Sequence, residues 1–300
     1  MTRVAKAPAR SSRSAAWVAL ARSVLTTRGI VHDPYARGML GATHRMMATA
    51  LSAPVLRRLG VNPTLAFLAA RTMFFDHFVR TALDAGIDQV VVLGAGYDSR
   101  AWRMGRPGVT FFEVDRPETQ AVKRSRAPSG GPTYVPCDVT SPTLADALRA
   151  AGLGPDRRAA FTAEGLTMYL TEPEVRRLLT VLAGCTAPGS RLAANFGVGF
   201  EDLPPSHGRL GRLARGAVAA RGEPLRFRVP VGDPLSFVAE SGWRLTDRCP
   251  AQELPSRYLG HTALARVPMS RSAVCVEAVR PGAVPPVGPQ TEGDDGALNE

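Results

Sequence analysis

The chain has only four cysteines, Cys137, Cys185, Cys249 and Cys275, set far apart and with no CxxC pair among them. This spacing gives no support to a zinc site or a disulfide framework, and buried reduced thiols are the expectation. Aromatic residues are 6% of the chain, too thin a supply for the stacking platforms that seat nucleic-acid bases. No run of five or six basic residues occurs, although the formal net charge is +11 and the pI is near 10.5. The arginines are scattered, so the clustered positive face of a nucleic-acid binder is not written in the sequence. Long hydrophobic runs are also missing. The apolar stretch 15–21 follows a basic start (Arg3, Lys6, Arg10, Arg13) but runs into Arg22. It makes a poor signal peptide and no membrane span, so a cytoplasmic protein is expected. There is no internal repeat, and nothing in the sequence assigns an oligomeric state.

What is present fits one α/β domain with additions. The 300 residues are 45% hydrophobic, enough for a sizeable core. Residues 1–13 are small and basic and are expected to be mobile. From 14 to 86 the pattern is helical: Trp17, Leu20, Ala21, Val24 and Leu25 recur at three- and four-residue spacing, and further helices are expected over 37–59 and 64–85. Pro34 breaks the first of these and Gly86 stops the last. Strands then alternate with helices. Residues 89–93 (QVVVL) read as a central parallel strand, and 109–114, 133–136, 159–163, 191–196 and 273–279 read as further strands. Ser141-Pro142 reads as a helix start, Thr171-x-x-Glu174 as a capping box, and Asp233-Pro234 as the start of a helix that Gly242 ends before Trp243. Residues 197–228, rich in Gly, Pro and Arg, are a candidate lid or a mobile loop. Residues 281–300 are low in hydrophobics and are expected to be disordered. Repeated βα units imply a parallel sheet with right-handed crossovers.

Four segments carry chemistry. The first is Gly94-Ala95-Gly96-Tyr97-Asp98, directly after the apolar strand, where glycines let the backbone turn and approach a ligand. The third glycine of a dinucleotide fingerprint would fall at Ser99, which counts against a pyrophosphate on the following helix. The second is Asp115, nineteen residues after Gly96, where a strand end presents an acid to ribose hydroxyls; its bland role is to cap the helix at Pro117. The third is Cys137-Asp138-Val139, whose carboxylate suits an adenine amino group and whose Val139 N–H suits a ring nitrogen, although such an acid is often a plain turn residue. The fourth is 163–170 (AEGLTMYL), from which Glu164 and Tyr169 face the crevice where a second substrate meets a cofactor, while Leu166 and Met168 are expected to pack. A nicotinamide-dependent oxidoreductase would share the paired glycines and the acid. Tyr169, however, has Pro173 rather than a lysine four residues on.

The phrases 71–76 (RTMFFD), 93–103 (LGAGYDSRAWR), 111–118 (FFEVDRPE) and 163–170, with DPYA at 33–36 and Gly242-Trp243, together resemble the leucine carboxyl methyltransferase family, in its bacterial S-adenosyl-L-methionine-dependent branch. The resemblance spans 14–280, read as a single domain, and is strongest over 71–170. It implies a Rossmann-like class I methyltransferase fold: a seven-stranded, mostly parallel sheet with an antiparallel last strand and a helical N-terminal section. It implies S-adenosyl-L-methionine as cofactor, with Arg71 on the methionine carboxylate, Gly94 and Gly96 along the methionyl portion, Asp115 at the ribose, and Asp138 with Val139 at the adenine. Asp98 and Glu164 complete the expected cofactor set, and no metal is expected. The expected activity is O-methylation of a small molecule, at a carboxylate or a hydroxyl, by in-line transfer. A carboxylate is already ionised and needs no base, whereas a hydroxyl needs one, with His32, His207 or Glu164 as candidates. No catalytic residue is assigned; Glu164 and Tyr169 are the candidates. A nucleic-acid methyltransferase or basic nucleic-acid-binding protein is the alternative, and an NAD-dependent oxidoreductase a more remote one.

Overall fold

The computed structural model describes residues 13–53, 63–199, 225–233, 235–269 and 271–282. Helices α1 (Arg13–Thr27), α2 (Ala42–Leu51) and α3 (Pro63–Asp84) precede the sheet. The strands are β1 (Gln89–Leu93), β2 (Thr110–Asp115), β3 (Thr133–Pro136), β4 (Ala159–Ala163), β5 (Arg191–Gly197), β6 (Arg244–Pro250) and β7 (Ala273–Val279). Between them lie α4 (Arg100–Met104), α5 (Pro117–Arg124), α6 (Leu144–Ala150), α7 (Glu172–Gly184), α8 (Ser236–Glu240) and α9 (Leu254–Tyr258).

The seven strands form one sheet in the order β3-β2-β1-β4-β5-β7-β6. The pairs β1–β2, β2–β3, β1–β4 and β4–β5 are parallel, and β7 lies antiparallel to both β5 and β6. The last strand alone therefore runs against the other six, as the resemblance implied. β1 and β4 are buried along their whole length, the outcome expected of short apolar runs covered on both faces. Alternation along β1 divides the core. Val91 and Leu93 join the cluster built with Leu148 of α6, Leu178 and Leu182 of α7, and Phe237 of α8. Val90 and Val92 join the cluster of α3 (Phe74, Phe75, Phe78) and α9 (Leu254). Burying each such phenylalanine contributes roughly 1.5–3 kcal/mol, which makes α3 a central support rather than an appendage. The strand order turns back between β1 and β4, and the crevice outside the carboxyl ends of these strands is where α/β sheets hold ligands.

Local differences from the sequence reading have physical causes. The helix expected over 37–59 begins at Ala42, because the Asp33 carboxylate accepts the N–H groups of Tyr35 (3.2 Å) and Ala36 (3.0 Å) and commits the following residues to turns; residues 54–62 lie outside the described residues. Ser141-Pro142 forms a turn, and α6 starts two residues later with Thr143 as its N-cap. Asp233 accepts the Leu235 N–H at 2.6 Å, and α8 begins only at Ser236; Pro234 lies outside the described residues. The capping box is present, with Thr171 N–H and hydroxyl both donating to Glu174 Oε2 at 2.7 and 2.9 Å. β2 is shifted by one residue, so Asp115 is its last residue. Trp17, placed on the apolar face of α1, is 38% exposed, while Leu20, Ala21, Val24 and Leu25 are buried. β6 was not located from sequence: as an edge strand with Arg244, Thr246 and Arg248 exposed, Asp247 half-buried and Pro250 at its end, it has little apolar pattern. All four cysteines are unpaired and buried. Among the described residues, no helix is long and apolar enough to cross a membrane. Residues 200–224, which are most of the 197–228 segment, and 1–12 and 283–300 lie outside the described residues; Arg13, expected in the mobile N-terminus, opens α1 instead.

Candidate functional site

Four loops leave the carboxyl ends of β1, β2, β3 and β4 and converge on one pocket of about 430 Å³. Gly94, Gly96 and Asp98 enter from the β1 loop, Asp115 from β2, Asp138 and Val139 from the β3 loop, and Glu164 and Tyr169 from the β4 loop. Arg71 reaches the same pocket from α3, so every expected cofactor residue lines it. α1 closes one side with Ser14, Ala15 and Val18.

The glycines of the β1 loop serve two ends. Both have positive φ, +59° at Gly94 and +48° at Gly96, which side-chain-bearing residues seldom adopt. A Cβ on Gly94 would stand 2.9 Å from Leu166 Cδ1, and one on Gly96 would stand 2.9 Å from Ala15 Cβ. Their bareness thus admits α1 and the β4 loop to the edge of the cradle as well as keeping the cradle open.

Asp115 is held by backbone. Its Oδ2 accepts Gly96 N–H at 2.6 Å and its Oδ1 accepts Arg116 N–H at 2.7 Å. Burial pushes its carboxyl above the usual range, and the two N–H groups only partly offset that. An ionised carboxylate has about four acceptor positions, so this anchoring orients the group while leaving each oxygen able to accept again. Asp138 stands exposed at the mouth, its Oδ1 accepting the N–H and hydroxyl of Thr140 at 2.9 and 2.7 Å in an Asx turn.

Glu164 is held by charge. Its Oε1 accepts Arg71 Nε at 3.0 Å and its Oε2 accepts Arg100 Nη2 at 2.7 Å. Burial pushes the carboxyl up, but Arg100 and Arg71 outweigh burial and leave it below the ordinary carboxylate range. Asp98 also faces inward, its Oδ1 on Arg100 N–H (2.6 Å) and its Oδ2 on Arg100 Nη1 (2.5 Å). Burial opposes its ionisation, and Arg100, Arg22 and Lys123 more than compensate, so its carboxyl lies well below the usual range.

Several contributors carried no role in the sequence reading. Arg100, Asp76 and Arg103 form the ionic backing of the site, with Asp76 accepting Arg100 Nε at 2.8 Å and Arg103 Nη1 and Nη2 at 2.6 and 2.9 Å. The one available signal was acid and arginine inside apolar phrases, MFFDHF and SRAWRM. Arg22 pairs with Asp33 at 2.8 Å and donates to the Tyr97 carbonyl, fastening α1 to the glycine loop. Asn195 on β5 accepts Gly165 N–H at 2.6 Å, and its carbonyl accepts the Thr167 hydroxyl at 2.6 Å, which fixes the β4 loop. Leu166, expected to pack, does pack part-buried against the core and also lines the pocket; Met168, expected to pack, lines the pocket, while Thr167 and Leu170 are the buried residues of the segment. Arg226 joins the rim, its N–H donating to the Met168 carbonyl at 2.7 Å. His32 is exposed and is not among the lining residues, and His207 lies outside the described residues. Among the described residues no cluster of three or more His, Cys, Asp or Glu is placed to hold a metal ion.

The family model described as leucine carboxyl methyltransferase matches residues 11–183. A protein of Parafrankia sp., provisionally named an S-adenosyl-L-methionine-dependent methyltransferase, is 40% identical over 176 residues, covering 56% of this chain and 51% of that protein. The chain thus matches about half the length of this curated relative. A DUF574 family protein from Streptomyces avermitilis has a similar structure, with a TM-score of 0.53 at 18% identity, covering 87% of this chain and 97% of that one. A provisionally assigned methyltransferase from Thermobifida fusca gives 0.52 at 17%, covering 87% and 94%. At these identities the two structures speak for the fold alone.

Proposed function

The chain belongs to the leucine carboxyl methyltransferase family, and from that premise we propose that it is an S-adenosyl-L-methionine-dependent methyltransferase acting on an oxygen of a small molecule, a carboxylate in the first place. The observation that carries this reading is the convergence of the four strand-end loops and Arg71 on one pocket. Its volume of about 430 Å³ lies in the range usual for small-molecule sites.

The donor and acceptor set suits the cofactor from end to end. Asp115, anchored through both oxygens, offers its remaining acceptor positions to a vicinal diol. Asp138 and the Val139 N–H, both in the pocket lining, suit an adenine edge, and the guanidinium of Arg71 suits a carboxylate. Gly94 and Gly96 leave room beside the methionyl portion. When bound, S-adenosyl-L-methionine supplies a methyl group on a sulfonium, ready for in-line displacement.

The protein's own part is placement and exclusion of water. Glu164, clamped by two arginines and with a lowered carboxyl pKa, is a poor proton acceptor and is suited to orienting Arg71. A carboxylate acceptor, ionised at neutral pH, asks for no base. Leu166, Met168 and Tyr169 form the wall left for it, with the cationic Arg226 on the same rim. Tyr169 is therefore read as a wall residue that contacts the acceptor.

Calorimetric titration with S-adenosylhomocysteine, beside NAD as control, tests the cofactor. Binding of the first alone is expected; silence from a folded sample would sink the reading. Methyl transfer from S-adenosyl-L-methionine to a panel of carboxylic acids and alcohols then tests the acceptor, and turnover confined to alcohols would reject the carboxylate.

A further inference from the structure

Arg100 does not line the pocket, yet three acids end on it, two of them pocket-lining. It opens α4 and is 1% exposed. Its Nε donates to Asp76 on α3 at 2.8 Å, its Nη1 to Asp98 of the glycine loop at 2.5 Å, and its Nη2 to Glu164 of the β4 loop at 2.7 Å. Nη2 also reaches the Thr72 carbonyl at 3.4 Å, and the guanidinium lies 5.8 Å from the centroid of the Phe75 ring. One flat, rigid fork thus ties together three segments that lie far apart in the sequence or on different elements.

The charges alternate along the tie. Arg103 grips Asp76, Asp76 grips Arg100, Arg100 grips Glu164, and Glu164 grips Arg71. With Asp98 included, three arginines and three acids balance. Only Asp98, Glu164 and Arg71 of this set border the pocket. Arg71 is the terminal member, and its orientation is set by Glu164, whose other oxygen is fixed by Arg100. A lysine could not replace the fork, because a single ammonium cannot meet three carboxylates in the three in-plane directions that a guanidinium serves.

We propose that Arg100 is a positioning residue: it sets the placement of Arg71 and of the glycine loop, so cofactor affinity depends on a side chain that never touches the ligand. This rests on the cofactor reading above. It assigns Arg100 an effect transmitted through Glu164, distinct from general support of the fold.

The test is a double-mutant cycle on the full chain, read by titration with S-adenosylhomocysteine, with the melting temperature of each variant measured beside it. Arg100→Lys is expected to weaken binding at least tenfold, and Glu164→Gln to weaken it comparably. The double variant should be within about twofold of the worse single, since both changes release the same arm; contacting residues of one network lose additivity in this way. Arg100→Gln adds a pH readout. There Glu164 loses Arg100 while Arg71 remains, with Asp98, Asp76, Arg22 and Arg103 still nearby, so affinity relative to wild type should fall further as pH drops from 8 to 6. If Arg100→Gln does not fold, Arg100→Lys and the cycle still decide. Full binding by Arg100→Lys, or losses that multiply in the double variant, would overturn the inference while leaving the cofactor reading intact. A folded wild type that does not bind would overturn both.

Discussion

The two acids at the β2 and β4 ends of the pocket are buried to similar degrees and held in opposite ways. Asp115 rests on two backbone N–H groups, and burial leaves its carboxyl raised. Glu164 rests on two guanidinium groups, and their charge leaves its carboxyl lowered. The donors of Asp115 are neutral dipoles fixed in the main chain. The partners of Glu164 are themselves buried charges that depend on it. The first arrangement serves an incoming ligand and asks little of the fold; the second joins the site to the fold, so a change there disturbs both.

The sharpest way to break this contrast is Glu164→Ala, which strips Arg71 of its buried counter-charge and leaves Arg100 with two of its three. A loss of about 3–5 kcal/mol in folding stability is expected, read from urea unfolding, and a loss below about 1 kcal/mol would place the pair among surface-like bridges. Asp115→Ala should do the reverse, with stability changing little while affinity for S-adenosylhomocysteine falls by roughly 1–3 kcal/mol. Unchanged affinity in the folded variant removes the ribose role. Arg71→Lys keeps the charge and loses the fork; about tenfold weaker binding is expected, near 1.4 kcal/mol, and wild-type affinity would argue against a two-point grip.

The smallest effect is in acid. Glu164, Asp98 and Asp76 have lowered carboxyl pKa values in the folded state. The stability they contribute is fully present above the unfolded values, near ~4, and is lost as pH falls through the lowered ones. Asp115 is raised, so its ionisation opposes folding as pH rises through the carboxylate range. Unfolding free energy followed from pH 7 down to 2 should therefore fall less steeply in Glu164→Gln than in wild type, and more steeply in Asp115→Asn. The same slope in both variants would mean that the two acids are held alike.

The legible parts of the molecule were those whose cause is local. QVVVL could only be a covered strand, the paired glycines had to turn, and the acid at 115 stood at the strand end that the spacing indicated. The resemblance then extended this to Arg71 and Asp138, which the fold brings to the same pocket. The ionic backing was illegible because its pairs join residues 24 and 64 positions apart, as in Arg100 with Asp76 and Glu164. No periodicity reports such a meeting. β6 escaped for a different reason: an edge strand has one neighbour to satisfy and solvent on its other side, so arginine, aspartate and a closing proline are tolerated where a central strand would need an apolar run.

The position of β7 also bears on how the protein is made. β7, the last of the described strands, sits inside the sheet, with β5 on one side and β6 on the other. Until β7 has emerged from the ribosome, β6 has no strand to dock on, and β5 presents an open edge where β7 must later pair. The nascent molecule therefore carries these unpaired strand edges until β7 is released, which is the condition under which partly made sheets associate with one another. The β1–β4 half, with its cradle of loops, can assemble early, whereas the half that completes the sheet waits for residues 273–279.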